Sequence, residues 1–273
     1  MDASSTLCSQ VISSIATVIV NGNPTVFAGD DLELCEPNGS IATEVILNGS
    51  GATTYTWDNG VIDGVSFVPP GAQITVYTVT GTDANGCIGT DQVTVSSYPL
   101  PVAIGTATPI YGNAPLVVDF TNLSSNATAF TWDFGDLNTA NTTGLSGVSN
   151  EYLSAGIYVV TLVASNEICS DAWQIEIEVI PPMIVTPPNV FSPNEDGSND
   201  LYFVNVDYGE QFEALILNRW GNVMATLDSV NQGWNGSSPN GTQAEEGVYF
   251  VVYTATDFNG NQISGHSNFT LVR

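Results

Sequence analysis

The chain has 273 residues, 43% of them hydrophobic and 11% charged, a composition typical of a folded protein with room for two or three domains. Its 28 acidic residues face only two basic ones, Arg219 and Arg273, so the net charge is -26. Such a surface excludes nucleic acid and anionic lipid as partners, because phosphate binding needs clustered cations. The sequence also has no run of about 18 apolar residues that could span a membrane as a helix.

Short apolar runs recur along the whole chain. They are rich in β-branched and aromatic residues, and Asn-Gly, Asp-Gly, Gly or Pro separates them. No window shows sustained helical periodicity. The pattern predicts an all-β protein made of tandem immunoglobulin-like β-sandwiches.

Residues 1–20 repeat a pattern that occurs later in the chain. Cys8 precedes the apolar run Val11–Val20, as Cys169 precedes the alternating run Trp173–Val179. We therefore expect residues 1–20 to be the last strand of a truncated upstream repeat, with the cysteine partner of Cys8 further upstream. A bond between Cys8 and Cys169 is not expected, because it would have to cross a whole domain.

Residues 21–98 contain Cys35, Trp57 and Cys87 in that order. This order resembles the immunoglobulin sandwich, in which a disulfide between the two sheets packs on a buried tryptophan. The resemblance implies an Ig-like domain with a disulfide between Cys35 and Cys87, which would agree with an extracytoplasmic location. Two free thiols are the alternative.

Residues 99–180 contain the motif WDFGD at Trp132–Asp136, followed by Tyr152 and by GIYVV at Gly156–Val160. These residues resemble the PKD domain, an immunoglobulin-like sandwich with a WDFGDG signature. Leu137 stands where the second glycine of the signature is usual, and we expect this departure to change the local turn and not the fold.

Two side-chain roles in this domain stay open. Some PKD domains bind calcium, so Asp133 and Asp136 are candidate ligands, but they would equally serve to tie the turn by hydrogen bonds to the backbone. The strand Leu116–Phe120, which would hold a partner for Cys169, has no cysteine. Cys169 is therefore predicted to be a buried thiol.

Proline-rich joints at 99–101 and 181–182 separate the predicted domains. Short connections stiffened by proline between acidic domains favour an extended rod over a collapsed cluster.

Residues 181–273 carry several motifs in a fixed order. They are NVFSPNEDGSND at 189–200, LILNRWG at 215–221, WNG at 234–236, EGVYF at 246–250 and the strand 268–273. The set resembles the gliding-motility-associated C-terminal domain, the type B sorting signal of type IX secretion cargo. Ser192, Glu195 and Asn235 depart from the usual residues, which affects only loop details.

This resemblance implies that residues 181–273 interact with the type IX translocon and its shuttle proteins during export. It further implies attachment at the cell surface to an outer-membrane β-barrel partner of the PorP/SprF type, and a role in gliding motility.

The predicted partner-binding residues are Arg219, Trp220, Phe269, Leu271 and Arg273. The two arginines are the only fixed positive charges that a partner could recognise. An alternative for Arg219 is a structural role, in which its guanidinium stacks on an aromatic ring or bonds a carboxylate of its own domain.

The loop 194–200 places oxygen-bearing side chains at alternate positions, and its candidate calcium ligands are Asn194, Asp196, Ser198 and Asp200. It lacks the bidentate glutamate of an EF-hand. The alternative is an Asx-turn that needs Gly197 for its backbone angles.

Catalytic chemistry is not expected. His266 is the only histidine, the chain has no lysine, and no G-x-S-x-G motif is present. Two interpretations remain: the non-catalytic C-terminal region of a cell-surface adhesin, or the tail of a secreted polymer-degrading enzyme or carbohydrate-binding protein.

Overall fold

The computed structural model describes residues 19–36 and 43–273. They divide into two compact units, Met1–Pro99 and Leu100–Arg273. All regular structure in the described residues is β-strand, which confirms the predicted all-β class. Most of the predicted strand at residues 1–20 lies outside the described residues. Among those that are described, no helix is long and apolar enough to cross a membrane.

The first unit has a four-stranded sheet and a separate antiparallel pair of short strands, and one edge strand of the sheet is parallel to its neighbour. Its sheet of four strands has the order β1-β6-β5-β3, and β2 pairs with β4. Alternation along β5 and β6 buries Tyr77, Val79, Val93 and Val95, as a half-buried strand requires. The strands are β1 (Leu32–Glu36), β2 (Val45–Ile46), β3 (Thr54–Trp57), β4 (Ser66–Phe67), β5 (Ile74–Thr82) and β6 (Ile88–Pro99).

The predicted Cys35–Cys87 disulfide is wrong, because Cys87 is a free cysteine. Cys35 lies on β1 opposite Tyr98 of the parallel strand β6. Cys87 precedes Ile88, the first residue of β6, so about 11 residues of extended chain, roughly 36 Å, separate it from Tyr98. A disulfide needs Cα atoms within about 7 Å of each other.

Cys35 and Cys169 are both disulfide-bonded. The prediction that Cys169 is a buried thiol is therefore right about its burial and wrong about its oxidation state.

Residues 100–180 form a two-layer sandwich. One sheet has the order β11-β10-β13-β14-β8, and the other has the order β12-β9-β7. Both contribute to a core centred on Trp132, Phe120 and Leu162. The strands are β7 (Gly105–Thr108), β8 (Tyr111–Asn113), β9 (Leu116–Asn122), β10 (Ala129–Asp133), β11 (Thr139–Thr142), β12 (Val148–Tyr152), β13 (Gly156–Ser165) and β14 (Ser170–Ile180).

The turn after β10 is tied by its own carboxylates. Asp133 Oδ1 accepts the Gly135 N–H at 2.9 Å, and Asp136 accepts the Asn138 N–H and, at 2.8 Å, the Asn150 side-chain amide. This is the hydrogen-bonded alternative to calcium binding. Leu137 adopts a left-handed φ of 76° and is 99% exposed, so the departure from glycine strains the turn without entering the core.

Residues 181–273 form the C-terminal domain. A five-stranded sheet has the order β16-β21-β20-β18-β19, and β15 pairs with β17. The inward faces of β18, β20 and β21 bury one continuous apolar core. The strands are β15 (Ile184–Thr186), β16 (Val190–Phe191), β17 (Asn205–Asp207), β18 (Gly209–Leu217), β19 (Val223–Leu227), β20 (Gly247–Asp257) and β21 (Gln262–Leu271).

Candidate partner-recognition site

The two arginines lie at the same end of the C-terminal domain. β18 ends at Leu217, just before Arg219, and Leu217 pairs with Phe250 near the start of β20. Gly247, the first residue of β20, pairs with Leu271, so the last residues of the chain reach the same end. Sequence spacing alone, with 53 residues between them, would not bring these cations together.

Tyr249 lies within the electrostatic range of both arginines. Burial is the main cause that raises its pKa, and Glu245 raises it further, whereas Arg273 and Arg219 both lower it. The Tyr249 hydroxyl donates a hydrogen bond of 2.7 Å to the Glu245 carbonyl. Both positive charges of the chain therefore act on one tyrosine.

A tight turn presents Arg219 and Trp220 to solvent. Asn218 Oδ1 accepts the N–H groups of Trp220 and Asn222, and Gly221 supplies the left-handed conformation with a φ of 83°. Trp220 is consequently 69% exposed. A tryptophan this exposed is available for contact with another molecule.

Arg219 makes the intramolecular contacts that were its structural alternative. Its guanidinium carbon lies 4.6 Å from the centroid of the Trp220 ring, and Nη2 lies 3.9 Å from Glu245 Oε2. Both partners of the ion pair are largely exposed, and such pairs contribute only about 0–1 kcal/mol. The guanidinium can therefore be taken over by a partner at little cost to the fold.

Arg273 is more firmly held than Arg219. Its Nη1 donates to the Ala244 carbonyl at 2.7 Å, and its Nη2 donates to the Gly236 carbonyl at 3.3 Å. Its backbone N–H donates to Glu246 Oε1 at 2.8 Å. Arg273 thus ties the segment 236–246 to the end of β21, and its predicted contact with a partner stays a prediction.

Two shallow cavities lie between these side chains. One, of about 290 Å³, is lined by Arg219, Trp220 and Tyr249, and the other, of about 440 Å³, is lined by Arg273 and Asp200. Gln243 lines both. We call this surface the arginine end; it comprises Arg219, Trp220, Gln243 and Arg273, and Glu245 is the intramolecular partner of Arg219.

Phe269 and Leu271 do not belong to this surface, so their predicted contact with a partner is wrong. Phe269 is only 1% exposed, and Leu271 is fully buried. Both side chains point into the core from β21, because alternate residues of a strand face opposite sides of a sheet.

The four predicted calcium ligands lie together in the loop 194–200. Asp200 accepts the backbone N–H groups of Asn194, Glu195 and Gly197 at 2.7–3.1 Å. Asp196 Oδ1 accepts the Ser198 N–H, and Asp196 Oδ2 accepts the Asn194 side-chain amide.

These carboxylates accept hydrogen bonds from the loop itself, as the Asx-turn alternative requires, and calcium binding by the four residues stays a prediction. Within 19–36 and 43–273, no group of three or more His, Cys, Asp or Glu side chains could hold a metal ion.

The opposite end of the domain contacts residues 100–180. β20 is 11 residues long, so roughly 33 Å of extended strand lies between the arginine end and the turn after Asp257. At that turn Asn259 bonds to Asn113, which precedes Ala114 in the neighbouring sandwich. Sequence analysis missed this contact. His266, on β21 opposite Val252, lies between the two ends.

Comparison with known families gives two matches. Residues 185–270 match the CHU_C type IX secretion signal domain, and residues 102–179 match the PKD domain. The chain therefore carries a type IX secretion signal, which implies export and a cell-surface or extracellular location. Neither domain is of a typically catalytic kind.

Solved structures show the fold alone. A fragment of Down syndrome cell adhesion molecule with eight Ig domains is 13% identical with a TM-score of 0.52, and the match covers 92% of this chain. The chain spans 37% of that fragment. The titin fragment I67–I69 is 12% identical with a TM-score of 0.41, covering 93% of this chain and 100% of the fragment. No curated protein matches the chain.

Proposed function

We propose that this chain is the non-catalytic C-terminal region of a secreted cell-surface adhesin, similar to the gliding adhesin SprB. The Ig-like and PKD-like domains act as spacers. The C-terminal domain directs export by the type IX translocon and its shuttle proteins, and it then attaches the protein to an outer-membrane β-barrel partner of the PorP/SprF type during gliding motility.

One observation carries the attachment role: both cations of the chain lie at one end of the domain that matches a type IX secretion signal. Elsewhere the chain offers acidic and uncharged polar groups, since 28 acidic residues face only these two arginines. A partner with carboxylates on its extracellular loops would be repelled by most of the chain and attracted to this end.

The polarity of the domain supports the same role. The arginine end lies roughly 33 Å along β20 from the turn that contacts the PKD-like domain. Its shallow cavities and exposed Trp220 suit contact with loops of a folded protein more than enclosure of a small molecule.

The test compares two variants that break the same ion pair. Arg219→Gln removes the cation, and Glu245→Gln leaves it in place but unpaired. In cells that carry the secretion system, we expect Arg219→Gln to lower the amount of chain that co-purifies with outer-membrane β-barrel proteins. Glu245→Gln should leave that amount unchanged.

Equal loss in both variants would mean that the ion pair acts only within the domain, and it would contradict recognition by Arg219. Export is followed separately as the total chain outside the cell, so an export defect is not mistaken for loss of attachment.

A further inference from the structure

The contact between the PKD-like and C-terminal domains is built around one buried side chain. Asn113 is 1% exposed. Its Nδ2 donates to the carbonyls of Pro181 and Tyr208, both at 2.8 Å, and its Oδ1 accepts the Phe258 N–H at 2.9 Å. Pro181 directly follows Ile180, the strand partner of Asn113, so the bonds that cross between the domains are those to Tyr208 and Phe258.

Asn259 completes the contact from the other side. Its Oδ1 accepts the Asn113 N–H at 3.0 Å, and its Nδ2 donates to the carbonyls of Asn113 at 2.7 Å and Pro115 at 3.3 Å. The Asn259 side chain thus bonds to both the N–H and the carbonyl of Asn113. We call this set of contacts the Asn113–Asn259 joint.

The joint is supported on the C-terminal side by a buried carboxylate. Asp257 is buried, and its Oδ1 accepts the N–H groups of Asn259 and Asn261 at 2.9 and 2.8 Å. Its Oδ2 accepts the Asn261 side-chain amide. These bonds lie within the turn that carries Asn259, so they hold the backbone of this turn independently of Asn113.

Close packing surrounds the hydrogen bonds. The Tyr111 and Phe258 rings make an edge-to-face contact with centroids 5.1 Å apart. A side chain at Gly112 would collide with Asn259 Oδ1 and Leu116 Cδ1, so the backbone of β8 approaches the turn as closely as a glycine permits.

We infer that the Asn113–Asn259 joint makes residues 100–273 one rigid body, in which the PKD-like domain is the base that orients the arginine end. Directional bonds to a buried amide resist rotation, because turning one domain would leave the Tyr208 carbonyl and the Phe258 N–H without partners. Domains joined by a linker alone move independently by default. The orienting role rests on the proposed attachment function; the rigidity does not.

Rigidity is tested on the purified chain without any partner. Backbone ¹⁵N relaxation should give the same rotational correlation time for β13–β14 and for β20–β21. In the double variant Asn113→Ala and Asn259→Ala, the two correlation times should separate, and the Phe258 amide should exchange with solvent at least about tenfold faster. The exposed Asn231→Ala serves as the matched control and should change neither. Different correlation times in the unmodified chain would overturn the inference.

The orienting role is tested by co-purification with outer-membrane β-barrel proteins. We expect the double variant to lose attachment although its arginine end is intact, while Asn231→Ala keeps it. If the double variant tumbles as two bodies yet attaches normally, the orienting role is wrong. Attachment that survives in both this variant and Arg219→Gln would instead contradict the proposed function, and the relaxation result would still stand.

Discussion

Replacing Phe269 with alanine should destabilise the C-terminal domain more than any surface change near it. Phe269 lies at the centre of four aromatic contacts. Its ring stacks on Tyr202 with centroids 3.7 Å apart, and it packs against Phe191, Trp234 and Tyr249 at 5.9–6.1 Å. Truncation would leave a cavity lined by rings that cannot all move inward together.

The expected loss follows from burial. A fully buried phenylalanine costs about 3–5 kcal/mol when replaced by alanine, and this range already includes the lost aromatic contacts of about 0.5–1.5 kcal/mol each. Small domains have a free energy of unfolding of about 5–15 kcal/mol. Phe269→Ala should therefore remove a large part of the stability of the C-terminal domain.

The assay is hydrogen exchange on the full chain, with Phe250→Ala as the control. Phe250 lies on β20 and is 40% exposed, so its replacement should cost only about 1 kcal/mol. Peptides from β18 and β20 should lose protection in Phe269→Ala, while those from β5 and β6 keep it. Equal effects of the two substitutions would refute the placement of Phe269 in the core.

Three further predictions concern the other parts of the chain. Cys87 should react with a thiol reagent in the native, unreduced chain, whereas Cys35 and Cys169 should react only after reduction. Labelling followed by mass spectrometry distinguishes the three cysteines. An unlabelled Cys87 would contradict its free state. Burial raises the pKa of Tyr152 to about 12, and unfolded tyrosine ionises near pH 10. The stability that this residue contributes below pH 10 should thus be lost between pH 10 and 12, and Tyr152→Phe should lessen that loss in denaturant titrations. Asp200→Ala should destabilise the loop 194–200 by about 1–3 kcal/mol. Calcium should produce no heat in calorimetry with the unmodified chain. A saturable heat that Asp200→Ala abolishes would instead show that calcium binds this loop.

Local sequence patterns predicted the strands well. Period-two alternation marks β13 and β14, whose inward residues Val160, Leu162 and Ile177 are fully buried. The same alternation along β21 would have placed Phe269 and Leu271 in the core, so that signal was present and was overlooked.

Pairing between distant strands was not predictable in the same way. The Cys35–Cys87 disulfide failed because β1 runs parallel to β6, with Cys35 opposite Tyr98. A two-residue change in register leaves the same alternation of apolar side chains, so no local pattern fixes which end of β6 a cysteine meets. The order of Cys35, Trp57 and Cys87 in the sequence therefore did not predict the disulfide correctly.

The candidate site was predicted in its residues but not in its geometry. Sequence analysis identified Arg219 and Arg273 as the only cations, and the fold brings both within electrostatic range of Tyr249. Asn113 and Asn259 gave no signal, because Asn beside Gly is typical of an exposed turn. Asn113 is buried where residues 100–180 meet the C-terminal domain, whereas Asn259 stays exposed, and neither property follows from a local pattern.

Photo-crosslinking from the two ends of the C-terminal domain tests the central claim most directly. A crosslinking residue replaces Gln243 at the arginine end in one variant, and it replaces the exposed Gln262, near the opposite end of β20, in the other. In cells that carry the type IX system, position 243 should give an adduct with an outer-membrane β-barrel protein, and position 262 should not. An adduct from position 262 alone, or equal adducts from both, would contradict attachment through the arginine end.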